Sequence, residues 1–418
     1  MNRMRILWFE VTTPSSYVSG GPPIGGWQDS LERIVRTIPE IELVIAFVSE
    51  KYSEVKICDG VKYVPIYTKW SFYERYFKKY WDVYLNKMLP SAKRIIDDCK
   101  PDLIHVFGTE WPFGQIASIT NIPVVIHLQG AIVPYNNASY PPGFSIYDEV
   151  FIQMFAPKKL FAIWRNKRDC RNREDWERKT WKLVQNYMGR TSWDEALSAI
   201  MHTNCKYFHV EEALRTDFFD TKKKWLSSDS TKLRLVSTGC STFWKGPDML
   251  LKVASILKKM DINFEWNVVG DMPYDLKLLV EKKIHIKFSD CNVNFLGFMS
   301  SDSLSMLLCS STIYVHTAYI ENSPNSICEA QCLGVPVVAA NVGGISSLVC
   351  HDEEGLLVPA NDPWQMAYAI LRLSEDPERM QRYSQNSRKR ALTRHHDENI
   401  RTQLIECYYS IINNTETP

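Results

Sequence analysis

Three things are missing from this 418-residue chain, and each absence removes a class of function. There is no excess of one charge sign: 49 basic residues meet 48 acidic ones, leaving a net charge of +1. Proteins built to grip nucleic acid carry a basic surplus, so nucleic acid is not an expected partner. Nor is there an unbroken apolar stretch of about 18 residues, so no transmembrane helix is expected. The apolar run Ile6-Leu7-Trp8-Phe9 ends at Glu10 and is too short to read as a signal peptide. Finally, none of the 11 cysteines forms a C-x-x-C pair. Cys328 and Cys332 lie close in sequence, but no matching Cys or His pair accompanies them, so no metal site is expected. The cysteines read as reduced thiols of a cytoplasmic protein. Tandem repeats and low-complexity segments are absent as well.

What is present is a large apolar complement, 45% of residues, in a chain long enough for two or three domains. Thirteen Trp and 20 Tyr supply rings for core packing, or for carbohydrate, lipid-interface or nucleotide contacts. Short apolar runs alternate with helical patterns. Arg5–Phe9, Ile41–Val48, Val61–Ile66, Leu103–Phe107, Val124–Leu128 and Tyr207–Val210 read as strands in the first half. Leu233–Ser237, Phe264–Val269, Val293–Leu296, Ile313–His316, Val337–Ala340 and Leu356–Val358 repeat the rhythm in the second. Several are apolar on both faces, as parallel strands covered by helices must be. Two successive α/β halves imply two Rossmann-like, doubly wound domains. The polar stretch 211–231 is the expected boundary, giving domains 1–210 and 211–385, with the charged helical tail 386–418 crossing back to the first.

Four motifs carry chemistry. In Tyr319-Ile320-Glu321-Asn322-Ser323-Pro324-Asn325-Ser326-Ile327-Cys328-Glu329, one acid follows a strand and the second should lie on a helix beginning near Asn325. Ser323 or Asn325 can cap that helix, and Pro324 suits its first turn. The N–H groups at its start attract a diphosphate, and the two carboxylates can accept hydrogen bonds from sugar and ribose hydroxyls. An ordinary capped helix with two exposed acids would show the same spacing. In Ser241-Thr242-Phe243-Trp244-Lys245-Gly246-Pro247, a lysine precedes a helix whose buried stripe is Leu250, Val253, Ala254 and Leu257. The helix dipole disfavours a cation there, which points to a role for Lys245 in neutralising an anion. Paired glycines in the loop Gly20-Gly21-Pro22-Pro23-Ile24-Gly25-Gly26-Trp27 can let backbone approach a ligand closely; a flexible surface loop would carry the same residues. His127 ends a predicted strand, where open α/β sheets present ligand contacts; a lone histidine there is equally compatible with a structural role.

The run from Tyr319 through Leu333-Gly334-Val335-Pro336 and Asn341-Val342-Gly343-Gly344, then His351 to Pro359 and Asn361-Asp362-Pro363, resembles the signature of bacterial family 4 glycosyltransferases. These have the GT-B fold, two Rossmann-like domains facing across a cleft, and an E-x7-E motif that Glu321 and Glu329 match. The resemblance is close over residues 231–375 and holds only in outline over the first 210. It implies a retaining transferase that moves a sugar from a nucleotide-sugar donor, UDP- or GDP-linked, to a hydroxyl of a glycan or lipid-linked acceptor. Bacterial surface polysaccharide synthesis is the implied setting. Glu321, Lys245 and His127 take the catalytic roles by this analogy. Glu329, Asn322, Ser323, Pro324, Asn325, Ser326, Gly297, Phe298, Ser241 and Thr242 meet the donor, while Gly25, Gly26, Trp27, Arg190 and Thr191 line the acceptor side. Arg190 and Thr191 could equally form a packing turn. The family often carries an arginine a few residues before its Lys-Gly; Cys240, Ser241 and Thr242 stand here instead, leaving Lys245 as the main cation. Neither a metal nor a cofactor is implied. A nucleotide-sugar epimerase of the same fold and a catalytically silent nucleotide-sugar-binding partner are the rival readings.

Two segments interleave rings with basic residues. Trp70, Phe72, Tyr73, Tyr76, Phe77, Tyr80, Trp81 and Tyr84 alternate with Arg75, Lys78, Lys79 and Lys87, and the stretch 158–190 is strongly basic. Rings at 73, 76, 77, 80, 81 and 84 have helical spacing and form one expected stripe, facing either the core or a membrane surface. Peripheral contact at the inner face of the membrane is therefore an added expectation.

Overall fold

The computed structural model describes residues 3–18, 26–219, 222–227 and 232–415. The chain divides into two compact units. The first comprises Met1–Asn136, Phe161–Ala213 and His395–Pro418, and the second Asn137–Leu160 and Leu214–Arg394.

The first unit is built on β1 (Met4–Glu10), β2 (Ile41–Ser49), β3 (Lys56–Cys58), β4 (Val61–Tyr67), β5 (Leu103–Phe107), β6 (Val124–His127), β7 (Asn186–Gly189) and β8 (Lys206–His209). Their order in the sheet is β3-β4-β2-β1-β5-β6-β7-β8, parallel except for the antiparallel edge strand β3. The central strands are largely apolar on both faces and mostly buried, β5 along its whole length. The sequence pattern shows six of these strands and misses β3 and β7. The first is three residues long, and the second is a four-residue Asn-Tyr-Met-Gly segment too short to show a period.

The second unit carries β9 (Leu233–Thr238), β10 (Phe264–Val269), β11 (Val293–Gly297), β12 (Ile313–His316), β13 (Val337–Ala340) and β14 (Gly355–Val358). All are parallel, in the order β11-β10-β9-β12-β13-β14. The helix Pro247–Lys259 buries Leu250, Val253, Ala254 and Leu257 against this sheet, with Pro247 at its first position.

Residues 137–160, expected within 1–210, cluster with the second unit. Tyr140 and Phe144 pack their rings on Phe243, Asp148 pairs with Lys283 at 2.7 Å, and Lys159 pairs with Asp275 at 2.8 Å. The tail also divides. The helix Pro377–Arg394 packs Met380, Tyr383 and Ala391 into the second core. The helix Asp397–Thr415 buries Ile400, Leu404 and Tyr408 in the first, where Trp8 donates its indole N–H to the Tyr408 hydroxyl at 3.1 Å.

The expected single aromatic stripe is broken. A six-residue helix, Phe72–Phe77, ends at Lys78 in extended conformation, and a second helix starts at Tyr80. Trp81 and Tyr84 enter the first core, whereas Phe72, Tyr73 and Phe77 remain exposed. Among the described residues no helix is long and apolar enough to cross a membrane.

Candidate functional site

In the second unit β9 lies beside β12, and strand succession runs outward in opposite directions from that pair. Loops leaving the carboxyl ends of two such strands diverge, and open α/β sheets bind ligands there. The loop after β9 holds Ser241, Thr242 and Lys245; the loop after β12 holds Glu321, Asn322, Ser323 and Pro324. Backbone ties lock the two together. Tyr319 N–H donates to the Trp244 carbonyl at 2.7 Å, and the Thr317 hydroxyl donates to the Lys245 carbonyl at 3.0 Å. Gly246, at φ 71°, lies so near the Thr317 carbonyl that no Cβ would fit. From the other side Gly344 N–H donates to the Glu321 carbonyl at 3.0 Å, and Gly343, at φ 54°, abuts the same carbonyl.

These ties place Lys245 Nζ against Glu321 Oε1, to which it donates. The Glu321 side chain is buried, and that of Lys245 is 29% exposed. His316, the last residue of β12, brings Nε2 to 3.9 Å from the same oxygen. Burial, reinforced by the Lys245 charge, pushes His316 down to about 3, so its ring is neutral at physiological pH. The Thr242 hydroxyl oxygen is buried and has no hydrogen-bond partner among the described residues, while Ser241 is exposed.

The helix Asn325–Leu333 opens with Pro324 at the cap position in extended conformation, and this residue makes no side-chain cap. The expected caps, Ser323 and Asn325, are displaced from that role because the proline itself occupies the entry position. A proline at that position offers no side-chain acceptor to the first amide groups of the helix. Asn322 and Ser323 are buried beside this end, and Ser326 reaches the Tyr314 hydroxyl, which also pairs with Thr238 at 3.0 Å. Glu329 lies one turn inside, buried, and accepts from Arg215 Nη2 at 2.6 Å and Nε at 3.1 Å. Burial raises its pKa, and the Arg215 charge opposes the rise. At the end of β11, Gly297 adopts φ 68°, and the following Phe298 ring is 87% exposed.

A second cluster forms in the first unit. Gly20 to Gly25 lie outside the described residues. Gly26, at φ 59°, precedes the helix Trp27–Val35. The Trp27 ring meets His127 edge-on at 4.8 Å, and the Arg190 guanidinium lies 5.1 Å above it. His127 is fully buried, stacked near Phe107 and tilted against His105. Neither of its ring nitrogens has a hydrogen-bond partner among the described residues, and burial drives it well below the usual histidine range. Arg190 is buried with Glu212, Nε to Oε2 at 3.3 Å. Thr191 is a helix cap: its hydroxyl accepts from Asp194 N–H at 3.1 Å and donates to Asp194 Oδ2 at 3.0 Å.

Three neighbours of these clusters escape the sequence motifs. Arg215 has no spacing relation to Glu329. His316 ends a strand as His127 does, and the same rule applied to β12 finds it. Glu110 follows β5, its carboxyl enclosed by Gly108 and Gly130, where a Cβ on Gly130 would come within 2.8 Å of Oε1. Burial, with the Glu177 charge added, pushes Glu110 up to about 7. Among the described residues no group of three or more His, Cys, Asp or Glu could hold a metal ion.

Comparison with known proteins accords with this geometry. Residues 218–390 match the profile of the family described as Glycosyl transferases group 1. The amylovoran biosynthesis glycosyltransferase AmsK of Erwinia amylovora is 28% identical over 151 residues, which is 34% of this chain and 36% of that one. The chain spans 36%, 41% and 54% of the length of three curated relatives it matches. Among solved structures, sucrose-phosphate synthase from Thermosynechococcus elongatus superposes with a TM-score of 0.73 at 18% identity, covering 99% of this chain and 100% of that one. Anabaena HepE in complex with UDP-glucose gives a TM-score of 0.63 at 17% identity, covering 98% and 100%. Likeness at such identities establishes the fold, which is GT-B.

Proposed function

We propose that this chain, whose residues 218–390 match the profile of the glycosyl transferases group 1 family, is a retaining glycosyltransferase whose second unit binds a nucleotide-sugar donor. The observation that carries this reading is the grouping of Lys245, Glu321 and His316 at the β9–β12 switch point, next to the helix start, entered through Pro324, that leads to Glu329. The diphosphate lies at that helix start, where the amides and the dipole stabilise negative charge. Glu329 accepts from the ribose hydroxyls, and Arg215 orients it and opposes the upward pull of burial on its pKa. The exposed Phe298 ring and the Gly297 backbone meet the base. Thr242, with its unsatisfied hydroxyl, and Ser241 contribute further donor contacts.

In the reaction the bond from the anomeric carbon to the diphosphate oxygen breaks, and an acceptor hydroxyl bonds to the same face. Its proton passes to the departing phosphate oxygen. Lys245 turns part of its charge from Glu321 to that diphosphate as the charge grows, and Glu321 is freed to hold sugar hydroxyls. Neutral His316 can donate or accept a hydrogen bond without adding charge. A protein cation and a helix dipole supply the stabilisation, so the scheme needs no metal. Acceptor contacts are assigned to the first unit, through Gly26, Trp27, Arg190 and Thr191; Gly25, assigned with them, lies outside the described residues. His127, expected among the catalytic residues, is enclosed by rings, and in this reading it acts instead as a neutral packing group that sets Trp27. The acceptor is a glycan or lipid-linked hydroxyl of bacterial polysaccharide assembly, a setting shared with the name of the Erwinia relative. Uridine is the favoured base, since the Anabaena neighbour was solved with UDP-glucose.

The test is a melting screen of UDP-, GDP- and ADP-sugars, followed by transfer assays with the stabilising donor. A bound donor at a hundred times its Kd should add about 2.7 kcal/mol of stability. No stabilisation by any nucleotide sugar would overturn the reading, and isomerised donor without an acceptor would replace it with an epimerase.

A further inference from the structure

The first unit carries five exposed aromatic rings contributed by two segments far apart in sequence. Phe72, Tyr73 and Phe77 come from the helix Phe72–Phe77, and Phe161 and Trp164 from the helix Pro157–Leu183. They touch in series: Tyr73 to Phe77 at 5.7 Å, Phe77 to Phe161 at 6.1 Å, and Phe161 to Trp164 at 5.7 Å between ring centroids. Phe72 is 74% exposed and Trp164 56%. A contiguous apolar patch of this kind is uncommon on a surface facing only water.

The patch is braced rather than frayed. Ser71 and Glu74 form a capping box at the start of the short helix. Arg168 donates to the carbonyls of Phe77 and Lys78, at 3.2 and 2.7 Å, pinning the end of that helix to the long one. Lys87 ties Glu74 at 3.0 Å. The rings are thus held outward by polar contacts beneath them.

Its rim is cationic. Lys78 lies over Tyr73 at 5.5 Å, Arg165 over Tyr76 at 5.2 Å and Arg168 over Trp164 at 5.2 Å. From Phe161 through Arg173 there are five basic residues and one acid, in a chain whose net charge is only +1. Rings mixing Tyr, Phe and Trp within a basic border match the boundary of an anionic lipid bilayer. Rings partition into the headgroup layer there, and each nearby Lys or Arg strengthens binding about fivefold.

We propose that this face, built by Phe72, Tyr73, Phe77, Phe161 and Trp164 and bordered by Lys78, Arg165 and Lys167, docks the protein on an anionic membrane surface. The proposal does not depend on the transferase reading, and its test needs no substrate. The full chain is sedimented with vesicles of phosphatidylcholine alone, and with vesicles also containing phosphatidylglycerol, at low and high salt. Binding is expected only with the anionic lipid and should fade as salt rises. The exposed-ring variant Phe77→Ser/Trp164→Ser should bind at least roughly tenfold more weakly. The charge variant Lys78→Glu/Lys167→Glu alters two exposed side chains and should lose a similar factor at low salt. Absence of vesicle binding at both salts, or unchanged binding by the charge variant, overturns the proposal. Capture by a soluble sulfated glycan in place of anionic vesicles overturns it in favour of a polyanion partner.

Discussion

Lys245 stands where a helix dipole disfavours a cation, and its charge is answered in this structure by Glu321. A group so placed gains most when negative charge grows nearby, as it does on a departing diphosphate. Lys245→Ala is therefore expected to lower kcat by about 10²–10³ while donor KM changes little, as steady-state kinetics will show. Glu329 differs in its proposed role, because a carboxylate that holds ribose hydroxyls would act in ground and transition states alike. Glu329→Ala should raise donor KM roughly tenfold to a hundredfold with a smaller effect on kcat. Unchanged donor affinity would remove Glu329 from the site. Arg215 acts through Glu329. Burial raises the Glu329 pKa and Arg215 opposes this, so removing the guanidinium shifts ionisation further upward. In Arg215→Ala, donor KM should be high at acidic and neutral pH and fall as pH rises, whereas Arg215→Lys should restore much of the native profile. A pH-independent defect in Arg215→Ala would mean that the arginine serves packing alone.

At the scale of elements, the site depends on three loops drawn together at the carboxyl ends of β9, β12 and β13. Their closeness is possible because two glycines remove side chains at the points of contact. Gly343 is left-handed and seated on the Glu321 carbonyl, so an added methyl group meets backbone rather than a yielding side chain. Left-handed backbone costs an L-residue about 1–2 kcal/mol, and overpacking a further 1–3 kcal/mol. Gly343→Ala should lower the urea midpoint accordingly and also reduce turnover, because the loop carrying Glu321 must move. A variant with native midpoint and native rate would show that the contact is not tight. The same scale explains two features that the residue pattern hides. β7 is too short to display alternation, and the aromatic run 73–84 looks continuous although Lys78 adopts extended backbone and splits it into an exposed helix and a buried one.

Across the whole molecule, the pH dependence of stability gathers contributions from every buried titrating group. In the first unit Glu10, Glu110, Glu177 and Asp194 are all shifted upward, chiefly by burial. A carboxyl whose folded pKa exceeds its unfolded one binds more protons in the fold. Its contribution is greatest at pH below the unfolded value and is lost as pH rises toward the folded value. For Glu110 that window runs from the ordinary value of 4.5 to about 7. Glu110→Gln keeps the shape and removes the titration, so its melting temperature relative to the native chain should rise between those limits and then level off. A difference that stays flat from pH 4 to pH 8, on the order of the window set by an ordinary and a raised carboxyl, would show that Glu110 ionises normally.

Short-range pattern was enough for much of this protein. Alternating apolar runs and helical stripes mark twelve of the strands, and the order Glu321, Pro324, Glu329 and Lys245-Gly246-Pro247 marks the loops proposed to bind the donor. Each of these is a local property: strand burial on two faces, a proline at a helix start, a glycine after a lysine. Long-range folding alone brought Arg215 to Glu329 across 114 positions and set His316 beside the Lys245–Glu321 pair. It alone enclosed His127 in rings, moved residues 137–160 into the second unit, and left five rings of two remote helices on one surface. Contacts between residues distant in the chain leave no period in the sequence. They follow from which faces the packed sheets have already covered, and that is settled only when the core is complete.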